Sequence, residues 1–109
     1  YPHLPSHPQY ELAKKQMKAG GTIFSFHLDG GLKQAHAVLN AFELIDISNN
    51  IGDSRSLMCH PATSTHHNMG PEGRAEAGVG EGMIRMNVGL EDVQDLIEDL
   101  DRGLRAIGR

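Results

Sequence analysis

The end of the chain carries the feature that most constrains its fold. Apolar side chains recur every three to four residues over residues 93–107, so they form one stripe along a helix. Glu91 and Asp92 lie at the start of this segment, and Arg102 and Arg105 lie near its end, which complements the helix dipole. A helix with one apolar face needs a second apolar layer to pack against. The rest of the chain must therefore supply that layer.

The segment just before this helix has the period of a strand. Apolar and polar residues alternate over residues 84–88. Because successive side chains of a strand point to opposite faces, we expect Ile84, Met86 and Val88 to enter the core under the last helix. Arg85 is then directed to the opposite face of the sheet.

The remaining segments predict helices and strands joined by polar loops. The predicted helices cover Gln9–Ala19 and Leu32–Glu43. The predicted strands cover Thr22–Leu28, Leu44–Ile47 and Ser56–Cys59. The predicted loops cover 48–54 and, with a brief helix after Pro71, 63–82. Asp29 is expected to cap the second helix. This order predicts an α+β fold, a small antiparallel-type sheet covered by helices, in one domain over residues 1–109.

Composition excludes several classes of partner. The chain has 109 residues, a net charge of −4 and no cluster of Lys or Arg, which argues against a nucleic-acid partner. No apolar run approaches the roughly 20 residues that span a bilayer, so we expect no membrane partner. Cys59 is the one cysteine and has no disulfide partner in the chain, which favours a reducing, cytoplasmic location. The opening at Tyr1, with neither Met nor leader, predicts a fragment that packs on another domain.

Four features could carry chemistry but are better explained as structural. The seven histidines lack the spacing of metal ligands, so we predict no metal site. Gly78–Gly82 lacks the flanking strand and lysine of a phosphate loop. Cys59 is interpreted as a small buried residue rather than a nucleophile. The acids of the last segment are interpreted as the solvated face of its helix. These acids are Glu91, Asp92, Asp95, Glu98, Asp99 and Asp101.

Arg85 is the exception, because a guanidinium flanked by buried strand residues has three possible environments. It can face solvent, pair with a structural carboxylate, or point into a cavity where it binds an anion through two parallel hydrogen bonds. The pattern of the strand leaves all three open.

Three blocks of sequence resemble one family. Ser56–His66 and Gly82–Ile97 are similar to signature blocks of the C-terminal domain of the Cys/Met-metabolism, or trans-sulfuration, enzymes that use pyridoxal phosphate. Tyr1–Gln9 resembles the segment with which that family enters its small domain. Four positions depart from the usual pattern, since the family commonly has Thr at Ser64, often has Ser at Asn87, and has other residues at Met58 and Cys59.

The resemblance implies the small domain of a fold-type-I, aminotransferase-like enzyme. Pyridoxal phosphate would be bound by a large domain absent from this chain, and it would supply the electron sink while this domain orients the amino-acid substrate. Arg85 matches the arginine that binds the substrate α-carboxylate, and Ser56 matches the serine that assists it. No catalytic or cofactor-binding residue is matched here, so we expect the fragment alone to be inactive.

The stretch Ser48–Leu57 resembles the sulfhydrylases that act on homoserine esters, most closely those that use the succinyl ester. The implied reaction replaces the γ-succinyloxy group with sulfide and gives homocysteine, in a homo-oligomer that is a tetramer by resemblance. The alternatives in the family are the acetyl-ester sulfhydrylases, cystathionine γ-synthases and lyases, and methionine γ-lyases. An alternative of another class is a non-catalytic interaction domain derived from such an enzyme.

Overall fold

The computed structural model describes residues 1–109, and its elements follow the predicted order. The helices are α1 (Tyr10–Gln16), α2 (Leu32–Ala41), α3 (Gly70–Glu76) and α4 (Val93–Arg105). The strands are β1 (Ile23–His27), β2 (Asp46–Ile47), β3 (Leu57–Cys59) and β4 (Met83–Asn87). Two short 3₁₀ helices, Pro61–Thr63 and His67–Met69, follow β3. None of the helices is long and apolar enough to span a membrane.

The four strands form one sheet in the order β1-β4-β3-β2. β4 pairs antiparallel with both β1 and β3, and β2 pairs parallel with β3. The α+β fold is therefore confirmed, with one parallel pair in an otherwise antiparallel sheet. Because β4 is central, its residues have strand neighbours on both sides.

The core lies between one face of the sheet and the helices α2 and α4. Ile84 and Met86 are almost fully buried on this face, and Val88 is half-buried against the same cluster. The predicted inward direction of these three residues is confirmed, and Arg85 is more exposed than Met86, as expected. The fully buried cluster comprises Ala35, Val38, Leu39, Ile45, Met58, Ile84, Met86 and Leu96.

Two local predictions about helix ends are wrong. α1 ends at Gln16 because Met17 adopts an extended backbone (φ −125°, ψ 136°), three residues before the predicted end at Ala19. Asp29 does not cap α2, because the N-cap is Gly31, two residues further along the chain. The Gly31 N–H donates to Gln34 Oε1 at 3.0 Å, so a side chain of the helix itself pairs the backbone donor at its N-cap. Asp29 pairs instead with Arg109 near the end of the chain.

Asp99 corrects the interpretation of the acids on the last helix. It was expected on the solvated face of α4, but its side chain is fully buried. Its carboxylate accepts the backbone N–H groups of Glu43, Leu44 and Ile45 at 2.9, 3.0 and 2.8 Å, and it pairs with Arg102. These contacts fasten α4 to the turn between α2 and β2.

Candidate substrate-carboxylate site

Arg85 lies at the centre of β4, on the sheet face opposite the core. Its strand neighbours are Ser25 on β1 and Cys59 on β3. Side chains directly opposite each other in an antiparallel pair share one face of the sheet. Both neighbours are small, so the long Arg85 side chain has room to extend along this face.

The Arg85 guanidinium is held by a backbone carbonyl. Nη2 of Arg85 donates to the Asn49 carbonyl oxygen at 2.8 Å. None of the six ion pairs in the molecule involves Arg85. A guanidinium carries five N–H donors, so one edge remains free for a carboxylate after this contact.

Arg85 lines one cavity, and a second cavity lies nearby, between α2 and the residues that follow β2 and β3. Arg85 itself lines a cavity of about 280 Å³ together with Tyr1, His7, Ser25 and His66. A second cavity, of about 260 Å³, is lined by Asn49 and Cys59, the hydrogen-bond partner and one strand neighbour of Arg85. Of the three environments open from the sequence, this geometry supports the cavity.

Ser56 precedes β3 and lies fully buried. Its N–H and its hydroxyl donate to Glu91 Oε2 and Oε1 at 2.7 and 2.8 Å, and its hydroxyl accepts the Gly89 N–H at 2.9 Å. No hydrogen bond joins it to Arg85, because Ser56 precedes the first residue of β3, whereas Arg85 pairs with Cys59, the last residue of that strand. The structure therefore brings Ser56 together with the β4–α4 junction.

Glu91 carries a perturbed carboxylate at this junction. Burial alone would raise its pKa, but the hydrogen bonds from Ser56 and the charge of Arg55 outweigh it and lower the pKa of Glu91 below its usual value. The sequence placed Glu91 only at the start of α4. Its bidentate contact with Ser56 was missed, because nothing in a helix-start pattern reports a partner 35 residues away.

From the sequence, Asn87 is notable only as a departure from the usual family pattern. It lies two residues beyond Arg85 on β4, and its side chain is buried on the Arg85 face. Its Oδ1 accepts the Thr22 hydroxyl and the Gly52 N–H, each at 3.3 Å. The spacing of two from Arg85 was the available signal, since residues i and i+2 share one face of a strand.

Two histidines, His36 on α2 and His60 after β3, meet at the Thr63 hydroxyl. His60 is buried, its Nδ1 lies 2.8 Å from the Thr63 hydroxyl, and its Nε2 donates to the Glu81 carbonyl. His36 Nε2 lies 3.2 Å from the same hydroxyl. The molecule has no group of three His, Cys, Asp or Glu side chains placed to hold a metal ion.

The sequence and the fold both match known proteins. Residues 1–105 match the family model described as Cys/Met metabolism PLP-dependent enzyme. O-succinylhomoserine sulfhydrylase from Mycobacterium tuberculosis is 58% identical over 95% of this chain, and L-methionine gamma-lyase from Fusobacterium nucleatum is 45% identical over 98%. The solved cystathionine gamma synthase from Xanthomonas oryzae pv. oryzae, in complex with aminoacrylate and cysteine, superimposes with a TM-score of 0.91 at 37% identity over 97% of this chain.

The extent of these matches is the same in each case. This chain spans 27% of the length of each of these three proteins. The family model covers nearly the whole chain, and the structural match extends over its helices and its sheet. The chain belongs to the Cys/Met metabolism family of PLP-dependent enzymes.

Proposed function

We propose that this chain is the C-terminal substrate-binding domain of an O-succinylhomoserine sulfhydrylase, a transferase that replaces the γ-succinyloxy group with sulfide in methionine biosynthesis. The 58% identity to the Mycobacterium tuberculosis enzyme of that name supports the assignment. Two relatives are each 45% identical to this chain, and one is an O-succinylhomoserine sulfhydrylase whereas the other is an L-methionine gamma-lyase. Methionine γ-elimination is therefore the second candidate.

The environment of Arg85 is the observation that carries the proposal. The residue is half-buried and lines a cavity, and its guanidinium has no carboxylate partner and one edge free. Two parallel hydrogen bonds from it to an α-carboxylate would fix the orientation of the amino acid, which is a positioning effect on the reacting Cα–H bond. The N–H and hydroxyl of Ser56 already donate to Glu91. Ser56 would therefore support this site indirectly, by holding the β4–α4 junction in place.

The cofactor is expected from the family but does not fit this chain's own residues. Pyridoxal phosphate is held in such enzymes by an enclosed lysine. The four lysines here, Lys14, Lys15, Lys18 and Lys33, are all exposed. We therefore place the cofactor on the large domain, which together with further copies of the enzyme would complete the active site.

Substrate comparison in the complete enzyme tests the assignment. We expect kcat/KM for O-succinylhomoserine with sulfide to exceed that for O-acetylhomoserine, and methionine to be a poor substrate. A higher kcat/KM for methionine elimination would instead establish the second candidate. An intact enzyme with no activity on any of these compounds would favour the interaction-domain alternative.

Arg85→Lys tests the carboxylate role, because it keeps the charge and loses the planar pair of donors. We expect kcat/KM to fall roughly 10- to 1000-fold, with little change in melting temperature. Arg105→Lys is the matched control, since Arg105 makes only an exposed pair with Asp101 on α4. Retention of more than about half the activity in Arg85→Lys would refute the role of Arg85.

A further inference from the structure

The loop over residues 48–54 carries the carbonyl that holds Arg85. This loop joins β2 to the approach of β3, and its residues are mostly exposed. Asn49 contributes the acceptor for Arg85 Nη2, so the position of the guanidinium depends on where the loop lies. An exposed loop has no fixed position unless other contacts hold it.

Backbone hydrogen bonds hold the two ends of this loop, from the Ser48 N–H to the Met58 carbonyl and from the Leu90 N–H to the Ser54 carbonyl, and one buried side chain holds its middle. Asn87 Oδ1 accepts the N–H of Gly52, in the middle of the loop. Gly52 has φ +80°, in the left-handed region that favours glycine, so the loop turns sharply at the point where Asn87 binds it. Arg85 and Asn87, two residues apart on β4, thus contact the same loop at Asn49 and Gly52.

The orientation of the Asn87 amide is fixed by this contact. The Gly52 N–H can only donate, so the oxygen of the amide must face it. The Nδ2 group is consequently turned away, and it is buried without a hydrogen-bond partner. Buried polar groups without partners are uncommon in proteins. The residue thus keeps an unpaired donor while its oxygen holds the loop.

We infer that Asn87 is a positioning residue for the substrate-carboxylate site, acting on Arg85 through the 48–54 loop. The inference rests on the proposed role of Arg85. A serine at this position, which the family often has, ends one bond closer to the backbone than the Asn87 oxygen, so its hydroxyl lies farther from the Gly52 N–H. Asn87 therefore gives this chain a firmer hold on the loop than a serine would.

A double-mutant cycle in the complete enzyme tests the inference. Asn87→Ser is expected to raise KM for the homoserine ester and to lower kcat/KM about tenfold, with a smaller effect on kcat. If Asn87 acts through Arg85, the same substitution in an Arg85→Lys background changes kcat/KM less than about twofold, because the group it positions is already lost. Equal factors in the two backgrounds would overturn the inference.

Two further variants complete the design. Thr22→Val removes the other partner of Asn87 Oδ1 but leaves the Gly52 contact, so kcat/KM should stay within about twofold of wild type. Gly52→Ala strains the loop without touching Asn87, since no atom lies within 4 Å of the added Cβ. It should show the same non-additivity with Arg85→Lys, and it serves as the test if Asn87→Ser does not fold.

The outcomes separate the two proposals. An unchanged kcat/KM in Arg85→Lys removes the proposed role of Arg85 and this inference with it. A loss in Arg85→Lys, combined with a loss in Asn87→Ser that multiplies with it, keeps the role of Arg85 and refutes the positioning by Asn87. A lowered melting temperature in Asn87→Ser with unchanged kcat/KM refutes the positioning as well.

Discussion

Single carboxylates make long-range contacts in this domain that apolar residues cannot make. Asp99 illustrates the principle, because a buried charge is tolerated only where hydrogen bonds replace its hydration. Three backbone N–H groups and Arg102 supply that replacement, and they hold the pKa of Asp99 below its usual value although burial alone would raise it. The carboxylate therefore serves as an anchor between α4 and the residues that follow α2.

Asp99→Asn tests this anchor at the scale of one residue. The amide has one acceptor oxygen where the carboxylate has two, so it leaves at least one buried N–H without a partner. We expect a loss of about 3 kcal/mol in the free energy of unfolding, measured by urea titration. Asp101→Asn, on the exposed side of α4, should cost about 0.5 kcal/mol or less. Equal losses in the two variants would show that the buried hydrogen bonds of Asp99 stabilise the domain no more than the exposed ion pair of Asp101.

At the scale of elements, the junction between β4 and α4 packs directly on the backbone of residues 54–56. A Cβ added to Gly89 would lie 2.4 Å from the Ser54 carbonyl oxygen and 2.6 Å from the Ser56 nitrogen. The Leu90 N–H donates to the Ser54 carbonyl at 2.8 Å, next to the contact between Ser56 and Glu91. Only glycine allows the two segments to approach this closely.

Gly89→Ala is expected to destabilise the domain because backbone atoms, unlike the end of a side chain, cannot move aside. The cost should be about 2 kcal/mol or more in the free energy of unfolding, as for overpacked interiors. Gly80→Ala is the matched control, since its nearest neighbour would be His27 Cδ2 at an ordinary 3.6 Å. A thermal melt that shifts equally for both variants would contradict the close approach.

The elements themselves were predictable because periodicity reports which face of a segment is apolar. The alternation over 84–88 and the stripe of α4 gave β4 and its covering helix correctly. The partners of Asp99 lie 54 to 56 residues away, and periodicity carries no information about such pairs. Its spacing from Leu96 and Gly103 places Asp99 on the buried side of α4, which was the one signal available.

The candidate site likewise has one part that the sequence predicts and another part that depends on tertiary packing. Arg85 was identified from its strand position and a family resemblance, whereas Asn49 and Asn87 depend on how a loop packs over the finished sheet. Loop positions follow from tertiary contacts such as that between Gly52 and Asn87. A strand pattern predicts the face on which a side chain lies but does not predict which loop covers it.

The whole molecule is flat, with extents of 38 × 37 × 25 Å, and its two sheet faces differ. One face is covered by α2 and α4, and the buried apolar cluster beneath them has eight residues. The opposite face carries Arg85 and the cavity that Arg85 lines. This asymmetry agrees with the proposal that the Arg85 face meets the rest of the enzyme and its substrate.

With so small a core, the two anchored carboxylates should make the stability of the whole domain depend on pH. Glu91 and Asp99 both have pKa values lowered in the folded state. Their contribution is fully present above the unfolded-state pKa values, near 4, and is lost as the pH falls through the lower folded-state values.

We therefore expect the free energy of unfolding to decline steeply below about pH 4 in the wild type. Urea titrations between pH 7 and pH 2.5 on wild type, Asp99→Asn and Glu91→Gln measure this dependence. Each variant lacks one of the two titrating groups, so its acid decline should be shallower, and the gap to the wild type should narrow as the pH falls. A gap that stays constant down to pH 2.5 would mean that folding does not lower the pKa of the substituted carboxylate, and the pH dependence would then have to come from other groups.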